Sequence, residues 1–340
     1  MTRHASWDAY PIPDSLPPVV VNDPALPLVS IVTPSYNQGR FIRETIESVL
    51  AQDYPNIEYW VIDGGSTDET ISILKEYEHD PRFHWISEKD EGQSDAINKG
   101  WSRCRGEIVA WLNSDDIYLP GAIRTQVSAL LRHRECSIAY GDVLYVGQNS
   151  EPIYKCYGRP YSVVELLRLS IPAQPTTFIR RRICERIGTL DRRFRYSMDS
   201  EYWVRASKVT DFWYEARCIA TYRLHDTSKT IANHDGFYRE WIVIAETFFS
   251  DPDVSEVYKE QMPQVFADIY SRIAMIEAEQ GSLSEASHYL FKAWEEGGFR
   301  VRMLKLPALL VERYLPFKIT PRLVRWWTYL QSKKRTAVKS

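Results

Sequence analysis

The chain has 340 residues, 44% of them hydrophobic, and a formal net charge of -3, so it is long enough to bury a substantial core as one large domain with an appendage. No uninterrupted apolar segment reaches about 18 residues, which argues against a spanning helix, and the overall charge gives no reason to expect a nucleic-acid partner. The cysteines Cys104, Cys136, Cys156, Cys184 and Cys218 are odd in number and never closely paired, which argues for reduced thiols in a cytoplasmic setting and against a zinc site.

Residues 1–27 carry Pro11, Pro13, Pro17, Pro18, Pro24 and Pro27 with no basic start and apolar core, so they read as an irregular arm and not as a signal peptide. Val29 to Thr33 reads as the first strand. Pro34-Ser35-Tyr36-Asn37-Gln38-Gly39 follows, then a helix with Phe41, Ile42, Thr45, Ile46, Val49 and Leu50 on one face. A second strand, Glu58 to Ile62, ends in Asp63-Gly64-Gly65-Ser66-Thr67-Asp68, and Ser66 with Glu69 offers a capping box for a helix through Tyr77. Asp63, standing before two glycines, is equally suited to anchoring a turn.

Phe83 to Ser87 reads as the third strand, Glu88 to Gln93 as a polar turn, and Ser94 to Cys104 as a helix in which Asp95 and Lys99 suit a surface ion pair. The apolar run Ile108 to Leu112 then delivers Asn113-Ser114-Asp115-Asp116. Adjacent carboxylates at a strand end repel each other, and a hard divalent cation with oxygen ligands is the leading compensator. The alternation of strand and helix predicts an α/β fold with a mostly parallel sheet flanked by helices, whose ligands bind at the carboxyl ends of the strands. Neither Gly-x-Gly-x-x-Gly after a strand nor Gly-x-x-x-x-Gly-Lys-Ser/Thr occurs, so the dinucleotide and P-loop phosphate cradles are missing and a metal would have to do that work.

Beyond the paired aspartates, Ile138 to Val143 is strand-like and Val163 to Leu169 suits a short helix. Pro172 to Arg180 reads as an extended run because Pro172 and Pro175 forbid a regular helix. Arg180-Arg181-Arg182 reads as the solvated start of the next helix in preference to a phosphate clamp. Asp199 suits an N-cap for the helix after it, and Cys218 to His225 reads as a strand. A lone His such as His225 is more often structural than ligating. From Phe237 to Gly298 the pattern is helical, with Ile269 to Gly281 and Leu283 to Glu296 forming a hairpin too short for a repeat array. From Arg300 onward eleven Lys and Arg residues face a single acid, Glu312, and Trp326, Trp327 and Tyr329 accompany them. That combination suits the headgroup region of an anionic membrane, although the same aromatics could pack on the enzyme.

Thr33-Pro34-Ser35-Tyr36-Asn37, Asp63 to Asp68, Asp95-Ala96-Ile97-Asn98-Lys99-Gly100 and Asn113 to Asp116, in this order and spacing, resemble the inverting family 2 glycosyltransferases of GT-A fold over about residues 28 to 230. The resemblance implies that Thr33, Tyr36 and Asp63 bind a nucleoside, most often uridine, that Asp95 lies near the donor diphosphate, and that Asp115 and Asp116 hold ribose and a Mn2+ or Mg2+ ion. Asp116 is then the principal metal ligand, Asp115 its neighbour, and His225 a further candidate. It also implies a catalytic base at Asp199, with Met198 where the family usually has Glu and with Glu201 as the fallback. Inversion requires that base on the face of the sugar opposite the leaving diphosphate.

The expected organisation is an arm over 1–27, a glycosyltransferase domain over 28–235 whose nucleotide-sugar half is 28–143 and whose acceptor half is 144–235, and a helical region with a basic tail over 236–340. The expected function is transfer of a sugar from a nucleotide donor, most simply a UDP-sugar, to a saccharide or lipid-linked acceptor in surface polysaccharide assembly, with the tail resting on the inner face of the cell membrane. The alternatives are a noncatalytic nucleotide-sugar binder or scaffold, and a nucleotidyltransferase, for which no basic phosphate-activating loop follows the first strand.

Overall fold

The computed structural model describes residues 26–168, 172–225 and 234–297. The basic aromatic tail and all but the last two residues of the arm therefore lie outside the described residues. The chain divides between Phe237 and Tyr238 into two units.

In the first unit, eight strands form one sheet: β1 (Val29–Ser35), β2 (Ile57–Asp63), β3 (Phe83–Ser87), β4 (Ile108–Trp111), β5 (Cys136–Val146), β6 (Pro152–Cys156), β7 (Phe178–Arg180) and β8 (Asp211–Arg223). Their order is β3-β2-β1-β4-β7-β5-β6, with β8 pairing β5. The strands β3, β2, β1 and β4 are all parallel, and β7 breaks the pattern by running antiparallel to both β4 and β5. The α/β class with a mostly parallel sheet is as the alternating pattern predicts. Every residue of β1 is buried, as expected where helices cover both faces of a parallel sheet.

Those helices are α1 (Ile42–Leu50), α2 (Thr70–Glu76), α3 (Gln93–Arg103) and α4 (Ala122–Arg132). Helix α1 buries Ile42, Thr45, Ile46 and Val49, and Val29, Ile31, Tyr59, Val61, Ile108 and Ala110 meet it in the core. On α3, Gly100 allows a close approach, since a Cβ there would collide with the Val32 side chain. Helices α5 (Val163–Leu167), α6 (Arg181–Ile187) and α7 (Met198–Ala206) follow. The indoles of Trp111, at the end of β4, and Trp203, on α7, stack with centroids 5.3 Å apart and planes 16° apart, and Trp101 of α3 meets Trp111 edge-on.

Several local expectations need correction. Ser66 does not cap α2, whose N-cap position is Glu69; Asp68 Oδ1 instead accepts the Thr70 N–H at 3.0 Å. Asp199 is not an N-cap either, because Ser197 holds that position and Asp199 lies in the first turn of α7. Gln174–Thr176 forms a 3-10 turn within the run expected to be extended, and β5 is longer than predicted and pairs with an unforeseen neighbour, β6. The arginine triplet is not simply solvated. Arg180 donates to the carbonyls of Leu130 and Cys136 and Arg181 to those of Gly106 and Cys104, so both guanidinium groups are spent on backbone oxygens.

The second unit continues α8 (His234–Phe249) and then forms α9 (Glu256–Lys259), α10 (Met262–Gln280) and α11 (Leu283–Gly297). Gly281 ends α10 with φ 91°, a left-handed cap that glycine adopts without strain. Among the described residues, no helix is long and apolar enough to cross a membrane.

Candidate active site

A cleft of about 610 Å³ opens at the carboxyl ends of β1 and β4 in the first unit. One wall is the turn Pro34-Ser35-Tyr36, and the floor is Asn113 to Asp116. Met198 and Asp199, at the start of α7, and Arg223 and His225, at the end of β8, complete it. This is the position at which open α/β sheets hold ligands.

The turn after β1 is stitched to the turn after β2. The Asn37 N–H donates to Ser66 Oγ at 2.7 Å, Asn37 Oδ1 accepts the Thr67 N–H at 2.9 Å, and the Gly39 N–H donates to Asp68 Oδ2 at 2.9 Å. Asn37 has φ 52°, a left-handed conformation that asparagine tolerates better than most residues. Ser66, Thr67 and Asp68 thus hold the loops after β1 and β2 together. Tyr36, held in the same turn, is 60% exposed and lines the cleft.

The acidic pair is held from several directions. Asp116 is 2% exposed, with Oδ1 accepting the Arg223 N–H at 2.9 Å and Oδ2 the Asn113 amide at 3.3 Å. Burial, and then the neighbouring Asp115 charge, push its carboxyl well above the usual range against these donors. Asp115 Oδ2 lies 2.9 Å from His225 Nε2. Beneath them, Arg223 Nε donates to the Asp115 carbonyl at 2.7 Å while its Nη atoms reach Glu44, Ser150 and the Gln148 carbonyl. Gln93 and Gln174 both bond Asn113, and Gln174 Nε2 also donates to the Trp111 carbonyl at 2.7 Å.

Of the residues expected from sequence, the cleft gathers Tyr36, Asp115, Asp116, Asp199 and His225. It does not gather Thr33, Asp63, Asp95 or Glu201. Thr33 is fully buried and its hydroxyl pairs with that of Tyr59 at 2.9 Å. Asp63 is also fully buried, and its two oxygens accept the Gly65 and Ser66 N–H groups and the Ser66 and Ser87 hydroxyls. It therefore anchors its own turn, as its position before two glycines allowed. Asp95 Oδ1 accepts from Arg192 at 3.1 Å, Oδ2 takes the Glu91 N–H at 3.2 Å, and Lys99 stands 3.5 Å away; although burial opposes it, these donors hold its carboxyl below the usual range. Glu201 is paired with Arg205, through both of its oxygens, at 2.8 Å. Asp199 Oδ1 accepts the Ser200 N–H at 2.8 Å.

Sequence reading missed Arg223. The only signal was a cation inside an otherwise apolar strand end, Tyr222-Arg223-Leu224, since a buried Arg must be paired with oxygens wherever the chain puts it. Among the described residues, no group of three or more His, Cys, Asp and Glu is arranged to hold a metal by itself. The acidic pair still fits one. Asp116 is a buried carboxylate beside a like charge, and oxygen ligands from one or two carboxylates, completed by phosphate oxygens, suit Mg2+ and similar hard ions.

A family model, Glycosyl transferase family 2, matches residues 30–188. The putative teichuronic acid biosynthesis glycosyltransferase TuaG of Bacillus subtilis (strain 168) is 31% identical over 226 residues, covering 65% of this chain and 88% of TuaG. The chain spans 32% to 66% of the lengths of uncharacterized Rickettsia glycosyltransferases that it also matches. Among solved structures, the S. aureus TarS fragment 1–349 in complex with UDP-GlcNAc aligns with a TM-score of 0.59 at 15% identity, over 78% of this chain and 89% of that one. The mannosyltransferase PcManGT from Pyrobaculum calidifontis, in complex with GDP-Man and Mn2+, aligns with a TM-score of 0.60 at 18% identity, over 90% of this chain and 84% of that one. At these identities the structural likeness is one of fold.

Proposed function

The chain belongs to glycosyl transferase family 2 and has the GT-A fold, and from that premise we propose that it is a metal-dependent inverting enzyme, moving a sugar from a UDP-sugar to a saccharide or lipid-linked acceptor in surface polysaccharide synthesis. The observation that carries the reading is one cleft presenting the buried Asp116 beside the like-charged Asp115 at the end of β4 and a third carboxylate, Asp199, from α7.

In this reading Tyr36 offers its exposed ring to the nucleoside, and Asp116, with Asp115 beside it and His225 as a third donor, would hold Mn2+ or Mg2+. A cation bound there supplies charge to oppose the departing diphosphate without proton transfer. Arg223 holds the Asp116 carboxylate through its own backbone N–H and the Asp115 carbonyl through its guanidinium, so the pair is preorganised before the donor arrives. Asp199 receives the acceptor hydroxyl proton at a carboxylate oxygen as that hydroxyl attacks the anomeric carbon. It suits this work better than Glu201, whose two oxygens are both engaged by Arg205. Gln93, Gln174 and Asn113 line the cleft near the acidic pair and are suited to hydrogen-bonding sugar hydroxyls.

TuaG's part in teichuronic acid biosynthesis supports the polysaccharide assignment. The UDP-GlcNAc of TarS and the Mn2+ of PcManGT support the donor class and the cation. The tail over 300–340, rich in Lys, Arg and Trp, would meet an anionic membrane from the cytoplasmic side. The test is a panel of nucleotide sugars with and without Mn2+, followed by thermal shift and by release of nucleoside diphosphate. A ligand that binds only the folded state raises apparent stability by mass action. Stabilisation by no donor, with no diphosphate released, would overturn the assignment.

A further inference from the structure

Arg223 carries its charge into the interior, with its side chain only 1% exposed, and how that charge is answered bears on the acidic pair. Its Nε donates to the Asp115 carbonyl at 2.7 Å, so the guanidinium bonds the backbone of the pair and neither of its carboxylates. Among the described residues, the one carboxylate it does bond is that of Glu44, in the first turn of α1, 2.7 Å from Nη2. Ser150 closes a triangle between them. Its Oγ accepts from Arg223 Nη1 at 2.8 Å and donates to the same Glu44 Oε2 at 2.9 Å.

Ser150 stands in the turn between β5 and β6 with φ 66°, and it is buried. A residue with a Cβ is strained in that conformation, and such strain persists where the surroundings over-determine it. The Ser150 N–H donates to the Gly147 carbonyl at 3.1 Å, a bond that glycine would make equally well. What glycine could not supply is the hydroxyl aimed at Glu44 and Arg223. Helix α1 also reaches the acidic pair directly, since Thr45 Oγ1 donates to the carbonyls of Ser114 and Asp116 at 2.9 and 2.8 Å. The triangle is thereby fixed against the loop that carries the aspartates.

We propose that Glu44 and Ser150 are positioning residues for the metal site, acting through Arg223. They neutralise its guanidinium and hold it on the Asp115 carbonyl, so that the carboxylates of Asp115 and Asp116 are left to a divalent cation; this rests on the metal-dependent reading above. Without the Glu44 charge, an uncompensated buried cation stands beneath the pair and repels the metal. A guanidinium released from the triangle also competes for the Asp115 carboxylate, a partner suited to it.

The experiment titrates Mn2+, read as loss of the free ion's electron paramagnetic resonance signal, into the parent, Glu44→Gln, Ser150→Ala and Ser150→Gly, with and without UDP. Thermal midpoints are recorded on the same preparations. Glu44→Gln keeps an oxygen to accept from Arg223 and Ser150 and loses the charge, so Mn2+ affinity should fall about 10- to 100-fold, the range for groups that orient a metal's ligands. The serine variants separate positioning from stability. Ser150→Ala keeps the strained backbone and Ser150→Gly relaxes it, so glycine should give the higher midpoint. Both lack the hydroxyl, and both should lose about tenfold in Mn2+ affinity. Affinity that follows the midpoint across these two, or parental affinity in Glu44→Gln, overturns the positioning role and leaves the metal reading standing. A parent that takes up no Mn2+, with or without UDP, overturns both.

Discussion

The assignment of the base can be decided at Asp199. Asp199→Asn keeps the side chain's size and its Oδ1, so the bond to the Ser200 N–H survives and stability should change by less than about 0.5 kcal/mol. What is lost is the ability to take a proton. General-base catalysis contributes about 10²- to 10⁴-fold, so the transfer rate should fall by that factor, equivalent to about 3–5 kcal/mol of activation free energy. Glu201→Gln is the matched control. It weakens the two-pronged pair with Arg205, which still donates to the Ile187 and Thr189 carbonyls; we expect a loss of about 1 kcal/mol in stability, at the upper end for such pairs, and little change in turnover. The assay is single-turnover transfer at saturating donor, with UDP affinity and thermal midpoint measured on the same preparations. Near-parental transfer by Asp199→Asn beside a collapse in Glu201→Gln would move the base to Glu201. Retention of anomeric configuration in the product would discard single displacement altogether.

Asp116→Asn should abolish Mn2+-dependent donor binding while the fold stays intact; removing a buried charge from beside Asp115 should stabilise the free protein by about 0.5–2 kcal/mol, and equal donor affinity by calorimetry would remove the metal role. Asp63→Ala strands the donors of its turn and should lower stability by about 1–3 kcal/mol; an unchanged urea midpoint would remove its role as the anchor of that turn. Deleting residues 321–340 should reduce sedimentation with anionic liposomes and leave soluble donor hydrolysis nearly unchanged, whereas equal liposome binding would favour packing of the tail on the enzyme.

The parallel half of the molecule is readable because its strands are buried on both faces and its helices carry one apolar side, so period and composition agree from Val29 to Leu112. The acidic pair is readable for a different reason, since adjacent carboxylates at a strand end demand compensation wherever they occur. The antiparallel half is less so. The strand β7 has three residues and follows a proline-containing turn, too short for a period to register, and β6 is largely exposed. Which carboxylate faces the cleft also escapes a linear reading. Asp63 and Asp115 both stand at strand ends before turns, and what separates them is that Asp63 is enclosed by Gly65, Ser66 and Ser87 whereas Asp115 lines the cleft, a fact about space and not about pattern. Arg223 was hidden because its partners, Glu44, Asp115 and Ser150, come from three distant parts of the chain.

The stacked indoles of Trp111 and Trp203 give the enzyme an internal optical gauge. One ring sits just before the aspartate pair and the other one turn beyond Asp199, so the metal position and the base position proposed above are tied to a single π-stack. Parallel chromophores this close share their excited states, and the resulting near-ultraviolet circular dichroism depends steeply on their separation and twist. Any adjustment of α7 toward the end of β4 should therefore alter that circular dichroism, which can be recorded with and without a nucleotide sugar and needs no label.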